Sequence, residues 1–129
     1  MNIYLDIDGV ILANDKQIAN YSQEFIKHLV DNHNVYWLTT HCRGNALSTC
    51  ELLQNFFDKK TMESINKILP TYWEINKTEA IDFPKPFLWF DDDLFKEERE
   101  VLIKNNCLNS WIEIDFGKDE NQLVKFLDI

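Results

Sequence analysis

Two aspartates, Asp6 and Asp8, directly follow a hydrophobic segment that begins at Ile3. Side chains at positions i and i+2 of a strand point to the same side, so carboxylates at this spacing repel each other. That repulsion does not stabilise the fold, so the pattern predicts a positively charged partner between the two carboxylates. Gly9 comes next and would allow the sharp turn that such a site needs.

Further residues that could do chemistry follow other hydrophobic segments. Thr39 and Thr40 come after one of them, and the acidic run Asp91–Asp93 comes after another. If these segments are parallel strands, their polar ends meet at one edge of a sheet, which is where ligands bind in open α/β folds.

One lysine lies where a helix is predicted to begin. In Asn76-Lys77-Thr78-Glu79, Asn76 is a predicted N-cap and Glu79 completes a capping box. A cation in the first turn meets the positive end of the helix dipole. Lys77 is therefore expected to have an anionic partner.

The hydrophobic pattern predicts the elements that position these residues. Apolar segments predict strands at residues 3–7, 35–38, 87–90 and 111–114, and more weakly at 68–70. Helices are predicted around the stripes Ile18, Tyr21, Phe25, Leu29 and Ala46, Cys50, Leu53, Phe57, over residues 94–105 with 97–100 as an outer face, and from the capping pair Asp119 and Gln122 to Leu127. This alternation predicts an α/β fold with a mostly parallel five-stranded sheet and helices on both faces.

Composition limits the functional classes. The chain has 129 residues, which predicts one domain, 1–129, and 45% of them are hydrophobic. Its 13 basic and 22 acidic residues give a net charge of −9, so no extended nucleic-acid footprint is expected. Three cysteines without C-x-x-C spacing, and the lack of a signal-like or membrane-spanning apolar run, predict a cytoplasmic protein that contacts no membrane.

Taken in order, D-x-D-G-V at Asp6, Thr39 after the second strand, Lys77 at a helix start and the acidic pair at Asp91 resemble the haloacid dehalogenase (HAD) superfamily. The resemblance covers nearly the whole chain and implies a three-layer α/β/α Rossmann-like core. The spacing leaves no room for a cap domain. Among capless members, residues 37–40 and 88–93 look most like the Swiss Army Knife RNA repair-like HAD domains.

The resemblance implies a phosphatase that uses Mg²⁺. Asp6 would be the nucleophile that forms an aspartyl-phosphate, and Asp8 would serve as general acid and base and offer its backbone carbonyl to the metal. Thr39 would donate a hydrogen bond to the phosphoryl group at the mouth of a helix. Lys77 would stabilise the transition state, and Asp91 and Asp92 would complete the metal site.

Several neighbouring residues leave alternatives open. Thr40 is the second threonine for substrate binding, and Arg43 is a candidate for a second phosphate or the leaving group. His41 is a candidate for substrate contact. Lys85 is the alternative to Lys77 and is expected to face solvent, while Asp93 is expected to cap the following helix.

The substrate class stays open between a phosphorylated small molecule, such as a nucleotide, and a phosphate-ended macromolecule. The order of the acidic residues, the threonine and the lysine along the chain disagrees with a response-regulator receiver, and the chain lacks the upstream acidic strand end of a Toprim-type nuclease. A non-catalytic binding or regulatory protein on a HAD-like scaffold remains the alternative.

Overall fold

The computed structural model describes residues 1–13 and 17–129. Within these residues the chain forms one parallel sheet of four strands, β1 (Asn2–Leu5), β2 (Asn34–Trp37), β3 (Phe87–Asp91) and β4 (Trp111–Glu113). The strand order is β2-β1-β3-β4. The predicted α/β class and parallel sheet are confirmed, and the fold is compatible with a Rossmann-like arrangement.

The fifth predicted strand, residues 68–70, does not join the sheet as a strand. Leu69 makes a single parallel bridge to Tyr36. The Leu69 amide donates to the Val35 carbonyl, and the Leu69 carbonyl accepts from the Trp37 amide. The Thr71 hydroxyl then donates to the Trp37 carbonyl at 2.6 Å, where a strand would place a backbone amide. The pairing therefore stops after one residue.

Helices connect the strands. The described residues contain four α-helices, α1 (Ser22–Asn32), α2 (Leu47–Leu53), α3 (Lys59–Ile65) and α4 (Lys96–Lys104), and short 3₁₀ helices at Lys77–Ala80, Leu108–Ser110 and Gln122–Phe126. None of these helices has both the length and the apolar character needed to cross a membrane.

Both faces of the sheet carry a hydrophobic core because side chains alternate along each strand. Ile3 and Leu5 of β1 pack in one cluster with Phe25 of α1. Tyr4, between them, packs in a second cluster with Leu102 of α4. The same alternation sets the direction in which the polar residues at the ends of β1 and β3 project.

Three predicted helices differ in detail from the structure. The first begins at Ser22 instead of near Ile18, since Tyr21 has a left-handed φ of 65° that a continuing helix cannot contain. The helix over 94–105 is confirmed as α4, although Glu98 on its supposed outer face is buried. The last one is only a 3₁₀ helix, because the Gln122 side chain bonds to the Asp115 amide and the Glu113 carbonyl instead of closing a capping box.

Candidate functional site

Three carboxylates gather where β1 and β3 end. Asp6 follows β1 directly, and its amide donates to the Phe90 carbonyl of β3 at 3.1 Å. Asp91 is the last residue of β3. Carboxylate oxygens of Asp6, Asp91 and Asp92 all lie within 4.8 Å of one another. The parallel pairing of β1 with β3 thus brings together two acidic motifs that are 85 positions apart.

Gly9 is what lets Asp92 enter this cluster. Its φ is +80°, and a β-carbon placed on it would lie 2.3 Å from the Asp92 carboxylate oxygen Oδ2. Any larger residue would therefore be strained in its backbone and would collide with a member of the cluster. The sequence motif needs glycine for the turn and also for this close approach.

Lys77 supplies the positive charge at the cluster. Its Nζ lies 2.7 Å from the Asp91 Oδ2 and 3.4 Å from the Asp6 Oδ2. Burial by itself would lower the Lys77 pKa, but the charges of Asp6 and Asp91 outweigh it and raise the pKa above its usual value. The ammonium is therefore retained, and the predicted anionic partner of Lys77 is confirmed.

Two carboxylates hold the short 3₁₀ helix that carries Lys77. The Glu79 carboxylate accepts the Asn76 amide at 2.8 Å, which is the predicted contact of the capping box. The buried Glu98 of α4 accepts the Lys77 amide at 2.9 Å and the Phe95 amide at 3.1 Å. Glu98 was missed by sequence reasoning, since a glutamate within a run of charged residues gives no sign of burial. It positions Lys77 from the neighbouring helix.

The cluster carries more negative charge than Lys77 can balance. Burial, followed by the nearby charge of Asp6, raises the pKa of Asp91 to about 8, although Lys77 acts in the opposite direction. Burial also raises the pKa of Asp92. A surplus of carboxylate oxygens is the donor set that Mg²⁺ prefers. The residues therefore fit a magnesium ion, with Asp6, Asp91 and Asp92 as candidate ligands.

Asp8 lies apart from this cluster. Its carboxylate Oδ2 is 2.7 Å from His41 Nε2, and the two side chains are 59% and 36% exposed, respectively. The expectation of one cation between Asp6 and Asp8 is thus wrong for the side chains, because the chain turns after β1 and each carboxylate has its own basic partner. No clear signal in the sequence pairs His41 with Asp8.

The two threonines take different places. Thr39 is fully buried, and its Oγ1 accepts the His41 amide at 3.3 Å. Thr40 lines the same cavity as Asp6 and Lys77. Neither threonine opens a helix, since α2 begins only at Leu47, so the predicted helix mouth is wrong.

Two further candidates bind elsewhere. The Arg43 guanidinium lies over the Trp73 ring, 4.3 Å from its centre, and donates to the Glu74 carbonyl. Lys85 pairs with Asp82 at the surface, as expected for a lysine that faces solvent. Asp93 does not cap α4; its carboxylate accepts the Leu94 amide, and Phe95 occupies the N-cap position.

The cavity at the carboxylates has a volume of about 190 Å³. It is lined by the polar residues Asp6, Thr40, Lys77, Asp91, Asp92, Asp93 and Glu98 and by the apolar residues Trp73, Ile75 and Phe95. A larger cavity of about 270 Å³ lies beside Tyr4 and Tyr36, where none of the carboxylates of the cluster contributes. Size alone would therefore have pointed away from the chemistry.

Comparisons with protein families, with curated proteins and with solved structures found no match to this chain. The functional argument thus rests on the residues of the site itself.

Proposed function

We propose that the protein is a magnesium-dependent phosphatase that hydrolyses phosphate monoesters through a phosphorylated Asp6. The observation that carries the proposal is the setting of Asp6, whose carboxylate lies 3.4 Å from the Lys77 ammonium within a cluster of metal-binding oxygens. A carboxylate can approach a phosphate dianion only where positive charge offsets their repulsion. We also propose that the protein is a capless phosphatase of the HAD superfamily with a three-layer α/β/α core.

The metal site fits the same chemistry. Bound Mg²⁺ would neutralise charge on the phosphoryl group and polarise it towards attack. Asp6, Asp91 and Asp92 are the side chains proposed to hold it, with the Asp8 carbonyl as a further ligand. The raised pKa of Asp91 is consistent with this role, since burial and the charge of Asp6 raise it in spite of Lys77, and a divalent cation would offset the remaining negative charge.

The protein residues then divide the reaction into two steps. An Asp6 oxygen bonds to phosphorus while the ester bond breaks, and Asp8, as the general acid, gives a proton to the leaving oxygen. Asp8 next takes a proton from water, whose oxygen attacks phosphorus and releases Asp6 and inorganic phosphate. Lys77 stabilises the phosphoryl charge in both steps. Thr40, which lines the cavity, contacts the phosphate, while Thr39 holds the His41 loop.

Hydrolysis of 4-nitrophenyl phosphate tests the proposal. We expect turnover with Mg²⁺, none after treatment with EDTA, and none in Asp6→Asn, which keeps volume and polarity but removes the attacking oxygen. Asp82→Asn, an exposed aspartate outside the site, is the matched control and should retain full activity.

Two results would contradict the phosphatase. Activity that survives in Asp6→Asn would show that another group attacks phosphorus. Tight binding of Mg²⁺ with no turnover of any phosphate ester would favour the alternative of a non-catalytic binding protein. The substrate is proposed to be a phosphorylated small molecule or a phosphate-ended macromolecule.

A further inference from the structure

Two exposed apolar side chains border the carboxylate cavity. Ile75 is 78% exposed and Phe95 is 59% exposed, and both line the cavity that contains Asp6 and Lys77. We call this pair the apolar lip. Exposed apolar groups beside a polar site gain free energy when a ligand removes them from water. The lip therefore offers a contact for whatever is attached to the phosphate.

Phe95 occupies a position where another residue would serve the fold better. It is the N-cap of α4 and makes no cap hydrogen bond with its side chain. Serine, threonine, aspartate and asparagine are preferred there, since their side chains satisfy free amides of the helix. A residue that breaks a local rule at the mouth of a site is a sign of function.

The lip is held at a fixed place relative to Lys77. The buried Glu98 carboxylate accepts hydrogen bonds from the backbone amides of both Phe95 and Lys77. It therefore fixes the backbone of Phe95 relative to the backbone of Lys77. On the other side, Glu79 accepts the Ile75 amide at 3.1 Å. The apolar contact is thus preorganised next to the phosphate site.

Charge and size restrict what the lip can accept. Apart from Lys77, the charged residues that line the cavity are carboxylates, so a leaving group with a second negative charge would be repelled. Arg43 cannot offset this while it lies on Trp73. The volume of about 190 Å³ is below that of sites for drug-sized ligands, which begin at roughly 300 Å³. A phosphate and one ring is a suitable occupant.

We infer that the site selects phosphate monoesters whose leaving group is uncharged and carries a small aromatic ring, which packs on Ile75 and Phe95. The inference rests on the proposed function for the position of the phosphate. An aromatic ring is favoured over a plain alkyl chain because Phe95 provides an aromatic partner in addition to apolar area.

Binding of non-hydrolysable phosphonates tests this preference without relying on catalysis. In the presence of Mg²⁺, calorimetry should give an affinity for 2-phenylethylphosphonate about tenfold above that for ethylphosphonate. The affinity for 2-carboxyethylphosphonate should be the weakest of the three. Phe95→Ser and Ile75→Ser should each reduce the phenyl preference to threefold or less. Ile103→Ser removes an exposed apolar residue of the same α4 helix outside the cavity and should leave the preference unchanged.

The outcomes separate the inference from the proposed function. Equal affinity for the phenyl and ethyl compounds, or a phenyl preference that persists in both lip variants, would overturn the inference. Phe95→Ser supplies a preferred N-cap residue, so a loss of preference there does not arise from unfolding. Hydrolysis of ethyl phosphate and 2-phenylethyl phosphate is measured in parallel. If neither of these esters nor 4-nitrophenyl phosphate is hydrolysed, the phosphatase is overturned, while a phenyl preference in binding would still support the lip.

Discussion

The candidate site has a buried half and an open half that handle charge differently. In the buried half, Lys77 is only 14% exposed and lies between Asp6 and Asp91. In the open half, Asp8 pairs with His41 where both are in contact with water. Water screens the second pair strongly and the first one weakly, so equal distances represent unequal energies.

The contrast suggests a division of labour. Charges in the buried half are placed by the ends of β1 and β3 and by Glu98, so they are already arranged for a transition state. On the proposed function, Asp8 of the open half is the general acid and base, and its exposure to water suits a group that must take up and give up a proton in every cycle. Loss of the ion pairs of Lys77 in the buried half should therefore cost more than loss of the Asp8–His41 contact in the open half.

Of the three tests that compare the two halves, the largest effect is expected for Lys77→Met. It leaves Asp6 and Asp91 facing each other without a cation and removes stabilisation of the phosphoryl charge. We expect kcat to fall about a hundredfold, equivalent to roughly 3 kcal/mol. Lys85→Met, at the surface, is the matched control and should stay within twofold of the unchanged protein. A loss confined to Lys85→Met would transfer the role to that residue.

A medium effect is expected in the pH dependence of Mg²⁺ binding. Burial, and to a lesser extent the charge of Asp6, raises the pKa of Asp91 to about 8. Below that pH a proton competes with the metal for the Asp91 carboxylate. Affinity for Mg²⁺ should rise with pH, by roughly 25-fold between pH 6.5 and pH 8.5.

Calorimetry at the two pH values measures this dependence. Asp91→Asn, which has no proton to lose, is the control and should bind Mg²⁺ more weakly and with a flatter pH dependence. An affinity that is independent of pH in the unchanged protein would show that Asp91 is already ionised and would weaken the contrast between the two halves.

The smallest effect is expected for His41→Ala. An exposed pair contributes about 0–1 kcal/mol, so loss of the contact with Asp8 should lower kcat by about fivefold or less. The kcat of His41→Gln, which keeps a hydrogen-bond donor, should lie between that of the unchanged protein and that of His41→Ala. Steady-state kinetics on 4-nitrophenyl phosphate measures both variants. A hundredfold loss in His41→Ala would place His41 on a par with Lys77.

Much of the fold was predictable because strong local patterns dominate it. The apolar segments before Asp6 and Asp91 are strands, and the predicted cap at Asn76 does begin a helical turn. What failed depended on contacts distant in sequence or on backbone angles. Tyr21 blocks the early start of α1 through a positive φ, and the Thr71 hydroxyl ends the pairing that would have made a fifth strand.

The site was predictable to a similar degree. The positions of Asp6, Asp91 and Lys77 follow from strand ends and a helix start, and the structure brings them together. Burial of Glu98 and the pairing of His41 with Asp8 were not predictable, since both depend on how separate elements pack in space. The chemical roles of the site residues stay predictions.

The most direct test of the central claim is a crystal structure of the protein soaked with Mg²⁺ and beryllium fluoride, which mimics a phosphorylated carboxylate. We expect a beryllium fluoride group whose beryllium is bonded to an Asp6 oxygen, with Lys77 beside it and Mg²⁺ held by Asp6, Asp91 and Asp92. An adduct on Asp8, Asp91 or Asp92, or a metal bound away from these three carboxylates, would contradict it.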